Sequence, residues 1–128
     1  HQTLARAFHP IRIALGEHVS NKVLFKNFLQ ANAMEINQVD ALRVGGISEF
    51  ILISLMSRKC GVPVIPHVGD MGQIHQHMVL FNHISVGHPK MFLECIPHLR
   101  KYFKNPATIE GGVYLVPQEP GSSSDFNN

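Results

Sequence analysis

The sequence predicts an α/β fold in which short parallel strands alternate with helices. Four short apolar runs recur along the chain, and segments that fit a helix lie between them. One acidic or basic residue ends or follows each run, namely Glu17, Asp40, His67 and Glu94, which are separated by 23, 27 and 27 residues. Because one strand–helix unit of a parallel sheet takes about 30 residues, this spacing is typical of consecutive strands.

The carboxyl ends of parallel strands are where (β/α)8 barrels build their active sites. An Asp–His pair flanked by two further carboxylates, each on a successive strand end, therefore indicates an enzyme site.

The first half of the chain is predicted to hold two strands and three helices. Ser20 and Asn21 are residue types that cap a helix, and the apolar residues after them recur at helical spacing. In order, the expected elements are a helix at 2–8 that ends at His9-Pro10, a strand at 11–15, a helix at 23–30, a strand at 35–39, a turn at Gly45-Gly46 and a helix at 48–60.

The second half continues the alternation and then departs from it. Gly61 stands where a glycine commonly ends a helix. The expected elements are a strand at 62–65, a helix at about 72–82, an extended piece at 83–86, a strand at 91–96, a helical turn at 98–103, and two short strands at 107–109 and 113–116. Residues 118–128 are rich in Pro, Gly and Ser and are expected to be irregular.

Length and composition exclude several classes of protein. At 128 residues one domain is expected, and a hydrophobic share of 45% supports a core. No run of about 18 apolar residues occurs, so no membrane span or membrane partner is expected, and the first residues lack the apolar core of a signal peptide. A net charge of +2 without a basic run or an aromatic platform does not favour a nucleic-acid partner.

The two cysteines, Cys60 and Cys95, are too few for a disulfide framework. A reducing, cytoplasmic compartment is therefore expected, with both thiols buried. The chain starts at His1 without an initiator methionine, which predicts that it begins within a longer protein.

Five groups of residues, ordered and spaced alike, resemble the motifs of one enzyme family. They are Gly16-Glu17-His18 followed by 21–30, Val39-Asp40 followed by 43–49, residues 61–67, Phe92-Leu93-Glu94, and Glu110-Gly111-Gly112 with 116–117 and 120–121. They are similar to the fifth to eighth strands and the closing segment of L-fuconate dehydratases, in the mandelate racemase group of the enolase superfamily. The resemblance implies the C-terminal half of a (β/α)8 TIM barrel at residues 1–104, and a closing tail at residues 105–128 that packs on the capping domain.

The resemblance also implies a role for each strand-end residue. Glu17 matches the third of three carboxylates that hold an essential Mg²⁺. Asp40 and His67 match a hydrogen-bonded catalytic pair, and Glu94 matches the carboxylate that stabilises the enolate intermediate. The implied reaction removes the proton alpha to the carboxylate of a sugar acid and eliminates the beta hydroxyl, which gives a 2-keto-3-deoxy acid. The sugar acid is thus the implied small-molecule partner, and a homo-oligomer is expected.

These residue types suit that reaction. A proton alpha to a carboxylate is very weakly acidic, so a metal ion must take up the charge that develops, and Mg²⁺ prefers hard oxygen ligands such as the Glu17 carboxylate. His67 can protonate the departing hydroxyl, because a neighbouring aspartate orients its ring and supports its charged form. A lone carboxylate in an apolar strand, as at Glu94, is costly to bury, which favours a functional role.

The remaining candidates have weaker support. His18 adjoins Glu17, and Asp70 lies in the loop after His67, so both are candidate substrate contacts. His75 and His77 lie two residues apart on a predicted helix and therefore face different sides. The histidines do not have the spacing of a zinc site, which favours a structural or solvated role for them.

Two interpretations of function remain open. The family's second-strand lysine pair and its third- and fourth-strand Mg²⁺ ligands have no counterpart here, so the 128-residue chain alone is expected to be inactive. In the alternative interpretation the chain is a non-catalytic half-barrel that self-associates through its unpaired strand edges. The loops at 68–72 and 87–90 are shorter than is usual in the family, which leaves the identity of the sugar acid open.

Overall fold

Four extended segments lie side by side in the order in which they occur along the chain. The computed structural model describes residues 1–69 and 72–128. β1 (Ala14–Leu15) pairs in parallel with β2 (Ile36–Asn37), and a parallel bridge joins Asn37 to Val64 in the third segment. The fourth segment lies beside the third, because the Gly69 N–H donates to the Glu94 carbonyl at 2.8 Å.

The regular strands are shorter than the sequence predicted. The strands expected at 11–15 and 35–39 are regular over two residues each. The strand expected at 62–65 is reduced to one bridge, because Pro63 within it and Pro66 directly after it have no N–H to donate to a neighbour.

The fourth predicted strand was also wrong in extent. Residues 91–96 have no regular strand structure. The segment is nevertheless placed beside the third strand end, since the Glu94 N–H donates to the Pro66 carbonyl at 3.4 Å. The missing donor of Pro66 limits the ladder that can form on this side.

The four α-helices confirm the predicted positions to within one or two residues. They are α1 (Gln2–Ala7), α2 (Lys22–Gln30), α3 (Ile47–Lys59) and α4 (Ile74–Phe81). Asn21 rather than Ser20 caps α2, because its side-chain oxygen accepts from the N–H groups of Val23 and Leu24 at 3.0 and 3.1 Å. α2 and α3 pack against each other, and Phe25, Phe50 and Ile53 are buried in the apolar cluster that also holds Val39 and Val64.

The extended piece predicted at residues 83–86 was wrong. A π-helical turn over Asn82–Val86 continues α4, and it ends at Gly87, whose φ of +75° only glycine adopts readily. The His88 N–H donates back to the Asn82 carbonyl at 3.0 Å and closes the turn. Ile84 and Val86 are β-branched and favour extended structure locally, but the packing of α4 and this closure override that preference.

The C-terminal residues fold back on the rest of the chain. A 3₁₀ helix over Pro97–Tyr102 confirms the helical turn predicted at 98–103 to within one residue. β3 (Ile109–Glu110) pairs antiparallel with β4 (Val113–Tyr114). The Gln73 N–H donates to the Ser122 carbonyl at 2.8 Å, so the tail lies against the start of α4. The boundary predicted at residues 104 and 105 stays a prediction.

Both cysteines are exposed, so the prediction of buried thiols was wrong. Cys60 lies just past the last residue of α3, and Cys95 lines an open groove, so neither position is covered by a neighbouring element. In the described part of the chain no helix is both long and apolar enough to cross a membrane.

His88 is a buried histidine that joins the turn after α4 to α3. It is 1% exposed, and its Nε2 lies 3.1 Å from the Ser54 carbonyl. Burial lowers the pKa of His88 below the ordinary value of 6.5, and the nearby Arg58 adds to this, although the bond to Ser54 opposes it. The folded protein therefore keeps His88 neutral at pH values where an exposed histidine is charged.

We expect the free energy of unfolding to fall as the pH drops below about 6.5. From that pH downwards the unfolded chain binds a proton on His88, whereas the folded chain binds it only at lower pH, so protons favour unfolding. Denaturant unfolding of the native protein and a His88→Gln variant between about pH 5 and pH 8 checks this. The stability difference between the two should be largest at high pH and shrink towards low pH; a constant difference would contradict the prediction.

Exposed apolar side chains line a groove between α4, residues 91–95 and the β3–β4 hairpin. Among them are Phe92 and Val113, which are 61% and 62% exposed. We expect a polypeptide of residues 1–128 to self-associate, because contiguous exposed apolar surface promotes association. Sedimentation over a range of concentrations tests this, with Phe92→Ser as a variant that should associate less. A monodisperse monomer with a sharp cooperative melt would be the opposite result.

Candidate active site

A glycine at the end of β1 brings Glu17 to the edge of the sheet. Gly16 has a φ of +147°, and a Cβ atom there would lie 2.8 Å from the carbonyl carbon of Gln38 in the neighbouring segment. Another residue at this position would force the two strand ends apart. The next residue, Glu17, directs a carboxylate that is 41% exposed into the site.

Asp40 and His67 form a hydrogen-bonded pair where the second and third segments end. His67 Nδ1 lies 2.9 Å from Asp40 Oδ2, and the side chains are only 8% and 7% exposed. The backbone N–H of His67 also donates to the Val39 carbonyl at 3.4 Å, and this bond holds the two segments together. A carboxylate at Nδ1 favours a proton on that nitrogen and leaves Nε2 to accept or deliver one.

His67 Nε2 faces two further carboxylates. Glu17 Oε2 lies at 2.7 Å and Glu94 Oε2 at 3.6 Å. Glu94 is held in this direction because its Oε2 accepts from the Val68 N–H at 3.2 Å. The four strand-end residues therefore converge around one imidazole, which confirms the spatial prediction made from their spacing. Their individual roles stay predictions.

Asp40 is a carboxylate at neutral pH. Burial by itself raises the pKa of Asp40, but hydrogen bonds to His75, to His67 and from the Leu42 N–H outweigh that effect. The pKa of Asp40 therefore lies well below its usual range. Asp40 can thus orient and stabilise a charged His67, and it is unsuited to donate a proton itself.

The two weaker candidates have different outcomes. His18 lies at the rim of the site, since its side chain is 80% exposed and its Nε2 is 3.1 Å from Glu17 Oε1. Asp70 lies outside the described residues. A role in substrate contact stays a prediction for both.

Arg43 belongs to the site although the sequence analysis assigned it no role. Its Nε lies 3.5 Å from Asp40 Oδ2, and its Nη1 lies 3.2 Å from His18 Nδ1 and 3.3 Å from the Glu17 carbonyl. The guanidinium therefore links the ends of the first two strands and places a positive charge at the opening. Arg43 is the first residue of the motif at 43–49 that follows Asp40, and this position could have indicated a role in the site.

The second missed residue is His75, for which the sequence favoured a structural or solvated role. His75 is 1% exposed, and its Nε2 lies 2.8 Å from the Ala41 nitrogen and 3.1 Å from Asp40 Oδ1. No sequence pattern shows this contact, because it depends on how α4 packs against the turn after β2.

Glu17 is the residue of this site best suited to bind a metal ion. Its exposed carboxylate is a hard oxygen ligand, and Mg²⁺ binds through one or a few carboxylates while keeping several waters. Within residues 1–69 and 72–128, no group of three His, Cys, Asp or Glu side chains could hold a metal ion. This chain can therefore supply one carboxylate of an Mg²⁺ site, and the described residues do not complete such a site.

Comparisons with known proteins agree with this geometry. The family described as "Enolase C-terminal domain-like" matches residues 1–128. Human mitochondrial enolase superfamily member 1 is 37% identical over 132 residues, which cover 98% of this chain and 30% of the relative. The L-galactonate dehydratase of Hypocrea jecorina is 36% identical over 130 residues, which cover 98% of this chain and 29% of the relative. The chain thus spans about 30% of the length of the curated relatives that it matches.

Solved structures agree on the fold. The crystal structure of human mitochondrial enolase superfamily member 1 superposes with a TM-score of 0.87 at 36% identity, covering 99% of this chain and 30% of that one. The L-talarate dehydratase from Polaromonas sp., complexed with Mg and L-glucarate, superposes with a TM-score of 0.69 at 27% identity, covering 99% and 33%. The matches confirm the predicted fold class, which is the α/β fold of the C-terminal half of a (β/α)8 barrel.

Proposed function

Because the chain belongs to the enolase C-terminal domain-like family, we propose that the protein that carries it is a Mg²⁺-dependent dehydratase of sugar acids. The observation that carries the proposal is the His67 imidazole, which contacts Asp40 through Nδ1 and Glu17 and Glu94 through Nε2. The similarity to an L-galactonate dehydratase, and to a talarate dehydratase complexed with Mg and L-glucarate, supports the substrate class and the cofactor.

In the proposed reaction a proton leaves the carbon alpha to the carboxylate and the hydroxyl leaves the beta carbon as water. The resulting enol becomes a 2-keto-3-deoxy acid. His67 gives its Nε2 proton to the departing hydroxyl, and Asp40 stabilises the imidazolium before the transfer. Glu94 stabilises the enolate intermediate in this proposal. The base that removes the alpha proton is not assigned to this chain.

Glu17 would hold part of the proposed Mg²⁺ coordination. The ion, when bound, would supply positive charge that offsets the negative charge developing as the alpha proton leaves. Glu17 lies on the exposed side of His67, where a hydrated cation can reach its carboxylate. The residues of this chain thus divide the task, since Glu17 faces the ion and His67 moves a proton.

Three finer points belong to the same proposal. L-Fuconate is the proposed substrate, because the motifs around Glu17, Asp40, His67 and Glu94 resemble those of L-fuconate dehydratases. We also propose that the protein is cytoplasmic, which is consistent with the two free thiols of this chain, and that it is a homo-oligomer. Residues 105–128 are proposed to form the closing tail on the capping domain.

A screen of sugar acids tests the proposal. The protein that carries this chain should convert one or more six-carbon acids, L-fuconate, L-galactonate and galactarate among them, to 2-keto-3-deoxy acids. The reaction should require Mg²⁺ and stop with a chelator, because the developing charge is otherwise uncompensated. His67→Asn should lower kcat on the order of 10²–10⁴-fold, since it removes the group that moves the proton. Unimpaired turnover by His67→Asn would refute its role, and no turnover of any acid by the native protein would refute the function.

The matched variant Glu17→Gln separates metal binding from proton transfer. It keeps the side-chain shape but removes the charge, so the Mg²⁺ concentration for half-maximal activity should rise by at least about tenfold. His67→Asn should leave that concentration nearly unchanged, because an imidazole that handles protons is not a ligand. Isothermal titration with Mg²⁺ measures both variants. Equal Mg²⁺ affinity in the native protein and Glu17→Gln would contradict the assignment of Glu17.

A further inference from the structure

His75 connects the Asp40–His67 pair to α4. Its Nε2 lies 2.8 Å from the Ala41 nitrogen, whose N–H points at it, and 3.1 Å from Asp40 Oδ1. Its Nδ1 lies 3.1 Å from the Val68 carbonyl, one residue after His67. The imidazole of His75 therefore contacts the residue that follows each member of the pair, Ala41 after Asp40 and Val68 after His67.

Both ring nitrogens of His75 have partners inside the protein. A carbonyl can only accept, so Nδ1 carries a proton and donates it to the Val68 carbonyl. Nε2 can accept from the Ala41 N–H in the neutral ring or donate to Asp40 Oδ1 in the protonated ring. Since His75 is 1% exposed, water does not replace either contact.

These contacts determine which way the Asp40 carboxylate points. Oδ1 accepts from the Leu42 N–H at 2.8 Å and lies against His75. Oδ2 is then directed at His67 Nδ1. A carboxylate free to rotate about its last bond would share its oxygens among these donors, and the imidazole of His67 would lose its fixed orientation.

The second contact holds a strained backbone. Val68 has a φ of +45°, in the left-handed region that a β-branched residue rarely adopts. In this conformation the Val68 carbonyl accepts from His75 while its N–H donates to Glu94 Oε2 at 3.2 Å. Strain of this kind persists only where neighbouring contacts hold it.

We infer that His75 is a positioning residue that orients Asp40, and through it His67, from α4. The inference rests on the proposed function for its kinetic consequence only. His75 is 1% exposed, and its polar contacts are to Asp40, Ala41 and Val68. Its loss should therefore reduce the rate of the proton transfer without weakening substrate binding.

Two amide variants test this. His75→Gln reaches the place of Nε2, where its oxygen can accept from the Ala41 N–H and its NH₂ can contact Asp40. The shorter side chain of His75→Asn reaches only as far as the position of Nδ1. It therefore leaves the Ala41 N–H and Asp40 Oδ1 without this partner. We expect His75→Asn to lower kcat about 10- to 100-fold with KM changed less than about threefold, and His75→Gln to restore most of kcat. His77→Asn, on the same helix, is the matched control.

A spectroscopic measurement needs no substrate. The proton between His67 Nδ1 and Asp40 should give a strongly downfield ¹H resonance in protein labelled with ¹⁵N-histidine, assigned by its loss in His67→Asn. In His75→Asn this resonance should shift upfield or broaden, and in His75→Gln it should remain. A resonance unchanged in His75→Asn, or equal kcat in both amide variants, would overturn the inference.

The outcomes distinguish this inference from the proposed function. If the native protein dehydrates no sugar acid, the function falls, and the His67 resonance still decides the role of His75. If His75→Asn does not fold, the native spectrum decides, because the inference requires a slowly exchanging proton on Nδ1 of His75, in the neutral or the protonated ring. A ring protonated on Nε2 alone would overturn it.

Discussion

The geometry of the site depends on keeping the charge of Asp40 inside the protein. A buried carboxylate is costly unless its oxygens are hydrogen-bonded. Its partners here come from three parts of the chain, since Leu42 belongs to the turn after β2, His67 to the end of the third segment and His75 to α4. The charge can be accommodated only when these parts meet, so the same contacts that stabilise Asp40 also assemble the site.

Regular sheet structure contributes little to this assembly. β1 and β2 are two residues long, and prolines remove donors from the third segment. Side chains add to the few backbone bonds between the strand ends, because Glu94 accepts from the Val68 N–H and His75 contacts the Val68 carbonyl. A site with this precision needs a supporting shell that is itself fixed, and α4 supplies part of it through His75.

The site has a buried side and an exposed side. Asp40 and His67 are 7% and 8% exposed, whereas Glu17 and Glu94 are 41% and 36% exposed. Exclusion of water strengthens the interaction between Asp40 and a charged His67, while a carboxylate that binds Mg²⁺ must remain accessible to a hydrated ion. This difference suits the proposed dehydration, in which His67 moves a proton and Glu17 faces the metal.

The sequence by itself determined the alternation of helices and strands, the positions of α1 to α4, and the convergence of Glu17, Asp40, His67 and Glu94 at one edge. Helical period and strand-end spacing are local properties of the chain, and parallel strands bring their carboxyl ends together. Only the tertiary structure decided the length of the strands, the π-helical turn at 82–86 and the contacts of Arg43 and His75. Those features depend on neighbours that are distant in sequence; His75 and Ala41, for example, are 34 residues apart. A local sequence pattern does not indicate which distant groups the packing of the chain will bring into contact.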